Sequence, residues 1–372
     1  MGLILNGEKL SNIEFIESKD ENVFRLSNNE GTNEINFRYI PVLENTFDYK
    51  NFNVYIFENN YLNAENDVFQ IKDKNIDERL GWIFPVTILE SNENDYSENK
   101  FLNRYKYVAF RILLESKESD TEIGSLVNDD MLLSQIYGEN IQLLVLSKEQ
   151  TNKVKDFNID NYLPNLSNYG YYIKNNYPLT INLDTQKKYA LNFRSQNSLK
   201  ISNTNRPISE SPFFIQLYIQ YLKTLDHHLV RFYLLYQVIE HFIGERFENN
   251  FTLLLDDYTG KNIDKNDLFE QMKELKQERS NVKAIFECLK NSSSANDEII
   301  TDLERDCRTL LEKYNNKIKG HTGDLVYDIR KLVVHNYRKL KDNEIALLEE
   351  ITFEFELIIT DILKTYCPQK CL

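Results

Sequence analysis

The sequence predicts an α+β protein of two domains, a β-rich N-terminal domain over residues 1–205 followed by an all-α helical bundle over residues 206–372. Three observations predict it. Up to about residue 205 the apolar residues recur in short runs of period two, the spacing of a strand with one buried face. From about residue 206 they recur at helical spacing in much longer runs. The junction carries Ser211-Pro212, a serine placed to cap a helix that begins on proline.

In the first half, Ile35–Tyr39 and Phe52–Phe57 alternate apolar with polar residues and read as strands. Gly81–Leu89 is an apolar strand candidate carrying the single tryptophan, Trp82, with Pro85 suggesting an edge or a bulge. Tyr105–Leu114 reads as the clearest strand, with Val108, Phe110, Ile112 and Leu114 on one side and Tyr105, Tyr107, Ala109 and Arg111 on the other. Gln142–Leu146 and Tyr189–Phe193 add two more. The Asn- and Ser-rich segments Ser91–Lys100 and Ser195–Asn205 read as loops. Tyr162, Tyr169, Tyr171, Tyr172 and Tyr177 suit either a recognition surface or ordinary sheet packing. No cluster of titratable residues in this half looks catalytic.

In the second half, six helices follow. Phe213–Leu225 is the first, and His228–Phe247 the second, with Leu229, Phe232, Tyr236, Ile239 and Ile243 at helical spacing. Asn250–Asn266 reads as a loop. Its Asp256, Asp257, Gly260 and Asp264 fail the calcium-loop spacing, since no closing glutamate stands at the required offset. Asp267–Leu289 is the third helix. Ser294 with Asp297 resembles a cap for the fourth, which runs to about Tyr314. After a break at Lys317–Gly323, Asp324–His335 is the fifth and Lys341–Tyr366 the sixth.

The formal net charge of −14 argues against broad, non-specific coating of nucleic acid, while leaving room for a local basic pocket. The four cysteines, Cys288, Cys307, Cys367 and Cys371, show no disulfide-framework spacing, and free thiols are expected. Neither a secretory signal nor a run of about 18 apolar residues is visible, so a cytoplasmic protein is expected, with no membrane contact. There is no Gly-rich phosphate loop, and neither a metal nor a cofactor is called for.

Chemistry concentrates in one stretch, Asp328-Ile329-Arg330-Lys331-Leu332-Val333-Val334-His335-Asn336-Tyr337, with Arg330 and His335 in an R-x4-H spacing. Residues five apart on a helix lie about 140° from each other, so the two side chains do not stack. Leu325, Ile329, Leu332 and Val333 form the expected buried stripe, and both polar heads emerge near its edges. The i,i+4 neighbour of His335 is Lys331, whose charge beside the imidazole favours phosphate binding. Imidazole can take the proton of a ribose 2′-hydroxyl or protonate the leaving oxygen, and guanidinium can hold the phosphate. One such pair supplies one proton-transfer group. A symmetric dimer would supply two, which makes a composite site the physical expectation.

The region from about Ser211 to Tyr366 resembles the HEPN superfamily of helical RNases from toxins, abortive-infection systems and CRISPR-associated systems. The resemblance lies in Arg330 to His335 just ahead of the long last helix. It also lies in Phe232-Tyr233-Leu234-Leu235-Tyr236-Gln237-Val238-Ile239-Glu240, which looks like the aromatic-rich early helix of Apea-like HEPN proteins. Those proteins likewise join a variable N-terminal region to a C-terminal HEPN domain. Where the family often carries Asn, Asp or His after the arginine, this chain has Lys331.

The resemblance implies a metal-independent endoribonuclease that dimerises through its bundle and acts in anti-phage or toxin-type defence. Arg330 and His335 are then catalytic, RNA is the substrate, and a phage-derived or operon-encoded trigger is the expected partner. Glu240 is either a partner of Arg330 or part of a structural ion pair, and Asn336 and Tyr337 are placed to line the pocket. His227, His228 and His241 read as surface or structural, and His321 as outside the site. The alternative is a non-catalytic HEPN-like dimerisation or protein-binding module, with the function in the N-terminal domain.

Overall fold

The computed structural model describes residues 2–17, 22–41, 49–115, 120–123, 130–292, 296–314, 318 and 320–366. Ser294, Lys317 and the Cys367/Cys371 pair lie outside the described residues. The N-terminal part is β-rich. It runs β1 (Gly2–Leu5), β2 (Glu8–Leu10), β3 (Asn12–Glu17), β4 (Asn22–Ser27), β5 (Glu34–Tyr39), β6 (Phe52–Glu58), β7 (Phe69–Asp73), β8 (Arg79–Pro85), α1 (Lys100–Glu115), β9 (Asp120–Ile123), α2 (Leu133–Tyr137), β10 (Ile141–Ser147), α3 (Lys148–Thr151), α4 (Leu163–Asn168), β11 (Tyr172–Ile173), α5 (Asp184–Leu191) and β12 (Ser198–Ile201).

The C-terminal part is all helical. It comprises α6 (Pro212–Gln216), a π turn (Leu217–Tyr221), α7 (Leu222–Thr224), α8 (His228–Thr259), α9 (Lys265–Leu275), α10 (Glu278–Lys290), α11 (Asp297–Leu311), α12 (Thr322–Asn336) and α13 (Asp342–Thr365). The fold class is therefore α+β, as the two periodicities predict. Among the described residues no helix is long and apolar enough to cross a membrane.

Two compact units divide the chain. One comprises Met1–Asn158, Tyr169–Leu179 and Lys187–Ser202, and the other Ile159–Asn168, Thr180–Gln186 and Asn203–Leu372. Two short segments ahead of residue 203 thus pack with the helices.

The first unit holds three sheets, ordered β2-β1-β9, β11-β6-β10-β8-β7-β12 and β3-β4-β5. The strands expected at Ile35–Tyr39, Phe52–Phe57 and Gln142–Leu146 form β5, β6 and β10. The Gly81–Leu89 run is split. β8 ends at Pro85, and a 3-10 turn follows over Val86–Leu89. β8 lies between β10 and β7, so Pro85 marks a strand end rather than an edge. Its Gly81 is required, because a Cβ there would stand 1.9 Å from the carbonyl oxygen of Val145 on β10.

The largest departure from the sequence reading is Tyr105–Leu114, which is helix and not strand. Within α1, Tyr105, Tyr107, Val108, Ala109, Phe110, Leu113 and Leu114 are all buried. Phe110 packs on Phe24 of β4 and Tyr39 of β5 at 5.0 and 4.9 Å, while Tyr105 meets Phe52 of β6 at 5.2 Å. A helix covered on several sides is apolar nearly all round, so any alternation can be read into it. Tyr189–Phe193 is likewise helical, in α5 and the 3-10 turn Asn192–Ser195. Tyr189 and Phe193 meet as an i,i+4 pair with tilted rings at 5.2 Å. The segment Ser195–Asn205 is not all loop, since Leu199 and Ile201 point inward from β12, which pairs in parallel with β7.

The proposed tyrosine surface does not exist as such. Tyr162, Tyr169, Tyr171 and Tyr172 are buried, and of the five only Tyr177 is exposed. Ring packing decides the matter, as in the T-shaped contact of Tyr169 with Phe193 at 4.7 Å.

The sequence also gives no sign of Lys106, whose side chain is fully buried on α1 with its Nζ making no hydrogen bond. Burial pushes its pKa down from 10.5 to about 8, opposed by Glu65. At pH 7 the folded state therefore carries a desolvated charge. Between about pH 8 and 10.5 the unfolded chain holds a proton the folded chain has lost, so stability rises with pH across that window. Lys106→Met is expected to stabilise the protein at pH 7 by on the order of 2–3 kcal/mol. The gain should fade to nothing above about pH 10.5, which denaturant titrations at pH 7 and pH 10.5 would measure.

In the second unit, α13 packs against α8 and α11, and α10 against α12. The expected first helix runs without a gap from α6 through its π turn to α7, and the second is longer than read. α8 runs through Asn250 to Thr259 because Phe247, Phe251 and Leu254 continue its stripe, with Phe247 and Phe251 stacked at 5.7 Å. Most of the expected Asn250–Asn266 loop is therefore helix. The expected third helix is two, α9 and α10. Asn281 marks the break by donating from Nδ2 to the carbonyl of Leu275 (2.7 Å), at the end of α9, and to that of Gln277 (3.1 Å), the N-cap of α10.

A buried ion pair joins α8 to α13. The Arg231 Nε and Nη2 donate to the Glu356 carboxylate at 2.7 and 2.9 Å, with neither side chain exposed. Free thiols were expected throughout, but Cys288 is disulfide-bonded, whereas Cys307 is free and buried.

Candidate functional site

α12 forms as the spacing predicts. Leu325, Ile329, Leu332 and Val333 are buried, joined by Val326, and the helix ends at Asn336 in a 3-10 turn over Tyr337–Lys339. Arg330 leaves this stripe toward α8 and α10. Its guanidinium lies 5.6 Å over the ring of Tyr236, with Nη2 3.5 Å from Glu240 Oε1 and Nε 4.0 Å from Glu278 Oε1. These ion contacts are long, and Nε is buried without a hydrogen bond. The side chain remains 25% exposed, so part of the fork reaches solvent.

The carboxylates around it are fixed by other groups. Tyr236 donates its hydroxyl to Glu278 Oε1 at 2.9 Å, and Gln237 donates its amide to Glu240 Oε2 at 2.9 Å. Burial, followed by the Glu278 carboxylate, pushes the Tyr236 phenol far above its usual range, so it stays a donor. One turn away, Arg279 is held by Asp324 at 2.7 Å and by Asp328 at 3.1 and 3.2 Å, with its guanidinium 5.7 Å over Tyr327. Around Arg330 and Arg279, then, the carboxylates Glu240, Glu278, Asp324 and Asp328 outnumber the two cations. A phosphate reaching Arg330 would have to displace contacts of 3.5 and 4.0 Å rather than a close bidentate pair.

His335 is exposed, and among the described residues it has no hydrogen-bonding or ionic partner. Lys331 is also exposed, but its Nζ lies 5.9 Å over the Tyr327 ring, one turn back from His335. Asn336 Oδ1 accepts from Lys339 Nζ at 2.9 Å. Tyr337 turns to the start of α8, where its hydroxyl pairs with His228 Nε2 at 3.3 Å. Glu240 and Arg330 are thus brought together, whereas no hydrogen bond or ion pair among the described residues joins Arg330 to His335.

No protein-family model, curated protein or solved structure matches the chain.

What the residues can do follows from their own chemistry. The structure adds Tyr236 and Glu278 around Arg330, neither of which the sequence assigns to the site, and it sets the imidazole pair His227/His228, read as surface or structural, beside Tyr337. The pair stacks at 5.0 Å, and both rings face Tyr337 at 6.0 and 6.2 Å. Partial burial and the neighbouring His227 lower the His228 pKa, which favours a neutral ring near pH 7. The chain therefore places three imidazoles near one end of α12: His335 on the helix, and two against the tyrosine two residues later. Adjacent histidines ahead of an apolar helix were the only available signal. Among the described residues no group of three or more His, Cys, Asp or Glu is placed to hold a metal ion.

Proposed function

We propose that the chain is a metal-independent endoribonuclease of HEPN type, serving anti-phage or toxin-type defence. In this reading it cleaves RNA at a site completed by a second copy of itself. The observation that carries it is an exposed His335, unpartnered among the described residues, five residues after a partly exposed Arg330, on the helix immediately before the long last helix α13. The His335 imidazole takes the proton of a ribose 2′-hydroxyl as its oxygen attacks the adjacent phosphorus. The 5′-oxygen of the next nucleotide leaves with a proton from an imidazolium, giving a 2′,3′-cyclic phosphate and a 5′-hydroxyl. Arg330 offsets the charge that builds on the non-bridging oxygens. The second imidazole would come from the partner subunit.

Dimerisation has separate support. Tyr233 lies within about 60° of Tyr236 and Glu240 around α8, and Val334 precedes His335. Both are large apolar side chains left 47% and 46% exposed beside the site. An operon-encoded or phage-derived trigger would act through the first unit.

A second reading has its own observation. The placement of Arg330 between Glu240 and Glu278, over Tyr236, is also what a structural ion pair looks like. The bundle would then be a dimerisation or binding module with the function in the N-terminal unit. RNA cleavage by the purified chain in the presence of a chelator, compared with Arg330→Ala and His335→Ala, separates the two. Unchanged cleavage in either variant would overturn the site.

A further inference from the structure

A chain of net charge −14 carries one stretch of the opposite sign. From Ile329 to Lys341 there are five lysines and arginines and no aspartate or glutamate. Three basic groups of this stretch share a face. Lys331, His335 and Arg338 follow one another at spacings of four and three, which make neighbours on an α-helix and through the 3-10 turn that ends it. All three are exposed. Among the described residues none of them meets a carboxylate, and Arg338 is the one arginine that neither hydrogen-bonds, pairs with an acid nor lies over a ring. Other surface arginines of the helical unit are held by acids, as Arg279 is by Asp324 and Asp328, and Arg305 by Asp302 and Asp306. A guanidinium left open in so acidic a chain is available to an anion from outside.

Beside this face stands a stack of rings. The residue before Arg338 is Tyr337, whose hydroxyl pairs with His228 Nε2 at 3.3 Å and whose ring lies 6.0 Å from that of His227. His227 is stacked on His228 at 5.0 Å, with the ring planes 26° apart. His228 and Tyr337 are partly buried, whereas His227, at the end of the stack, is exposed. One face of the His227 ring is thus covered, which leaves the other for a further planar ring. The hydrogen bond between Tyr337 and His228 orders this platform in advance, so little ordering is left to oppose binding. Asp226, adjacent to His227 in sequence, engages none of these groups among the described residues.

We propose that His227 and Arg338 form a nucleotide subsite flanking His335, in which a base extends the His228–His227 stack and its phosphate pairs with Arg338. A cation beside an open aromatic face is how single strands are held, since an unpaired base offers a free π-face and a base inside a duplex does not. The substrate class is therefore single-stranded RNA. The place of this nucleotide next to the cleaved bond rests on the ribonuclease reading, whereas the binding itself does not.

The test is fluorescence anisotropy of the full chain with a short, labelled 2′-O-methyl RNA, alone and annealed to its complement. Such a strand lacks the attacking hydroxyl, so binding is read without cleavage. The single strand is expected to bind at least about 10-fold more tightly than the duplex. Arg338→Ala is expected to weaken binding about 5-fold at about 0.1 M salt and to lower the slope of log affinity against log salt by about 0.7, the loss of one phosphate contact to a single strand. His227→Ala is expected to weaken binding by about 5- to 100-fold with the salt slope unchanged, and His227→Trp, which keeps a ring in place, to bind at least as tightly as the parent. No binding of the single strand, a duplex bound as tightly, parent affinity in either alanine variant, or a His227→Trp variant as weak as His227→Ala would overturn the subsite. Should His227→Ala fail to fold, Arg338→Ala decides, since that side chain holds nothing in place among the described residues. Binding as expected by a chain that cleaves no RNA would leave the subsite standing and remove the ribonuclease reading. Cleavage lost in His335→Ala beside parent affinity in Arg338→Ala would do the reverse.

Discussion

Arg231→Ala is expected to lower the stability of the helical unit by about 3–5 kcal/mol, among the largest effects any single substitution in this chain should have. The guanidinium is fully enclosed and engages Glu356 through two nitrogens. Its remaining nitrogen, Nη1, donates to the carbonyls of Leu222 at 2.6 Å and Leu225 at 3.3 Å. Those carbonyls belong to the last turn of the α6–π–α7 helix and have no helical donor of their own. One side chain thus ties the end of one helix, the first turn of α8 and the middle of α13. Its removal strands a carboxylate and two carbonyls where water does not reach. Glu356→Ala should cost as much, because it strands the cation instead. The double variant Arg231→Met/Glu356→Leu should recover much of the loss, since neither charge is then left unpaired. Urea titrations of the three variants give the answer. A single-variant loss below about 1 kcal/mol would mean that the pair is not shielded from solvent in solution.

His335→Ala is expected to reduce RNA cleavage by about 10²–10⁴-fold, the range for losing a positioned acid or base. Its stability should change by less than about 0.5 kcal/mol. The asymmetry follows from geometry. The imidazole is exposed and holds nothing in place, so a fall in rate cannot be ascribed to unfolding. Arg330→Ala should reduce cleavage similarly and cost up to about 1 kcal/mol besides, because it leaves Glu240 and Glu278 facing each other across Tyr236 with no cation between them. Arg330→Lys keeps the charge but loses the planar fork, and should restore the stability better than the rate. Thermal melts run beside a fluorogenic RNA assay separate these outcomes. Cleavage at the parent rate in His335→Ala would leave the non-catalytic reading in possession of the bundle.

Much of the architecture is readable from periodicity, and the failures have two physical causes. β5 buries one face and α12 one stripe, so their spacing identifies them, whereas β10 is buried on both faces and α13 nearly all round from Ile351 to Leu363, and there the length of the apolar run carries the reading. α1 is covered on several sides, and its ten consecutive residues from Tyr105 to Leu114 carry apolar groups in nearly every direction. Period two and period 3.6 fit such a run equally well. α8 was cut short for the converse reason. Glu248, Asn249 and Asn250 interrupt its composition, while Phe247, Phe251 and Leu254 keep its phase. At the site, the Arg330–His335 spacing and the pairing with Glu240 were legible because they depend on one helix pattern and one charge complement. Tyr236 and Glu278 were not, since tertiary packing alone brings α8 and α10 to Arg330. The link from Tyr337 to His228 spans 109 positions of sequence and leaves no local trace.

α8 has 32 residues, about 48 Å of helix at 1.5 Å per residue, whereas α12 has 15 and α10 has 13. The N-terminal half carries the buried residues from Arg231 to Phe242. The C-terminal half buries Leu254 but leaves Leu253, Leu255 and Tyr258 exposed, and its neighbour α9 buries nothing. Hydrogen bonds of the same geometry are therefore guarded very unequally along one rod. Backbone amides near Phe232 open only when the whole unit does, whereas those past Asn250 open by fraying. Deuterium uptake would run as a gradient along a single unbroken helix, slow where α8 meets Arg330 and fast toward Thr259.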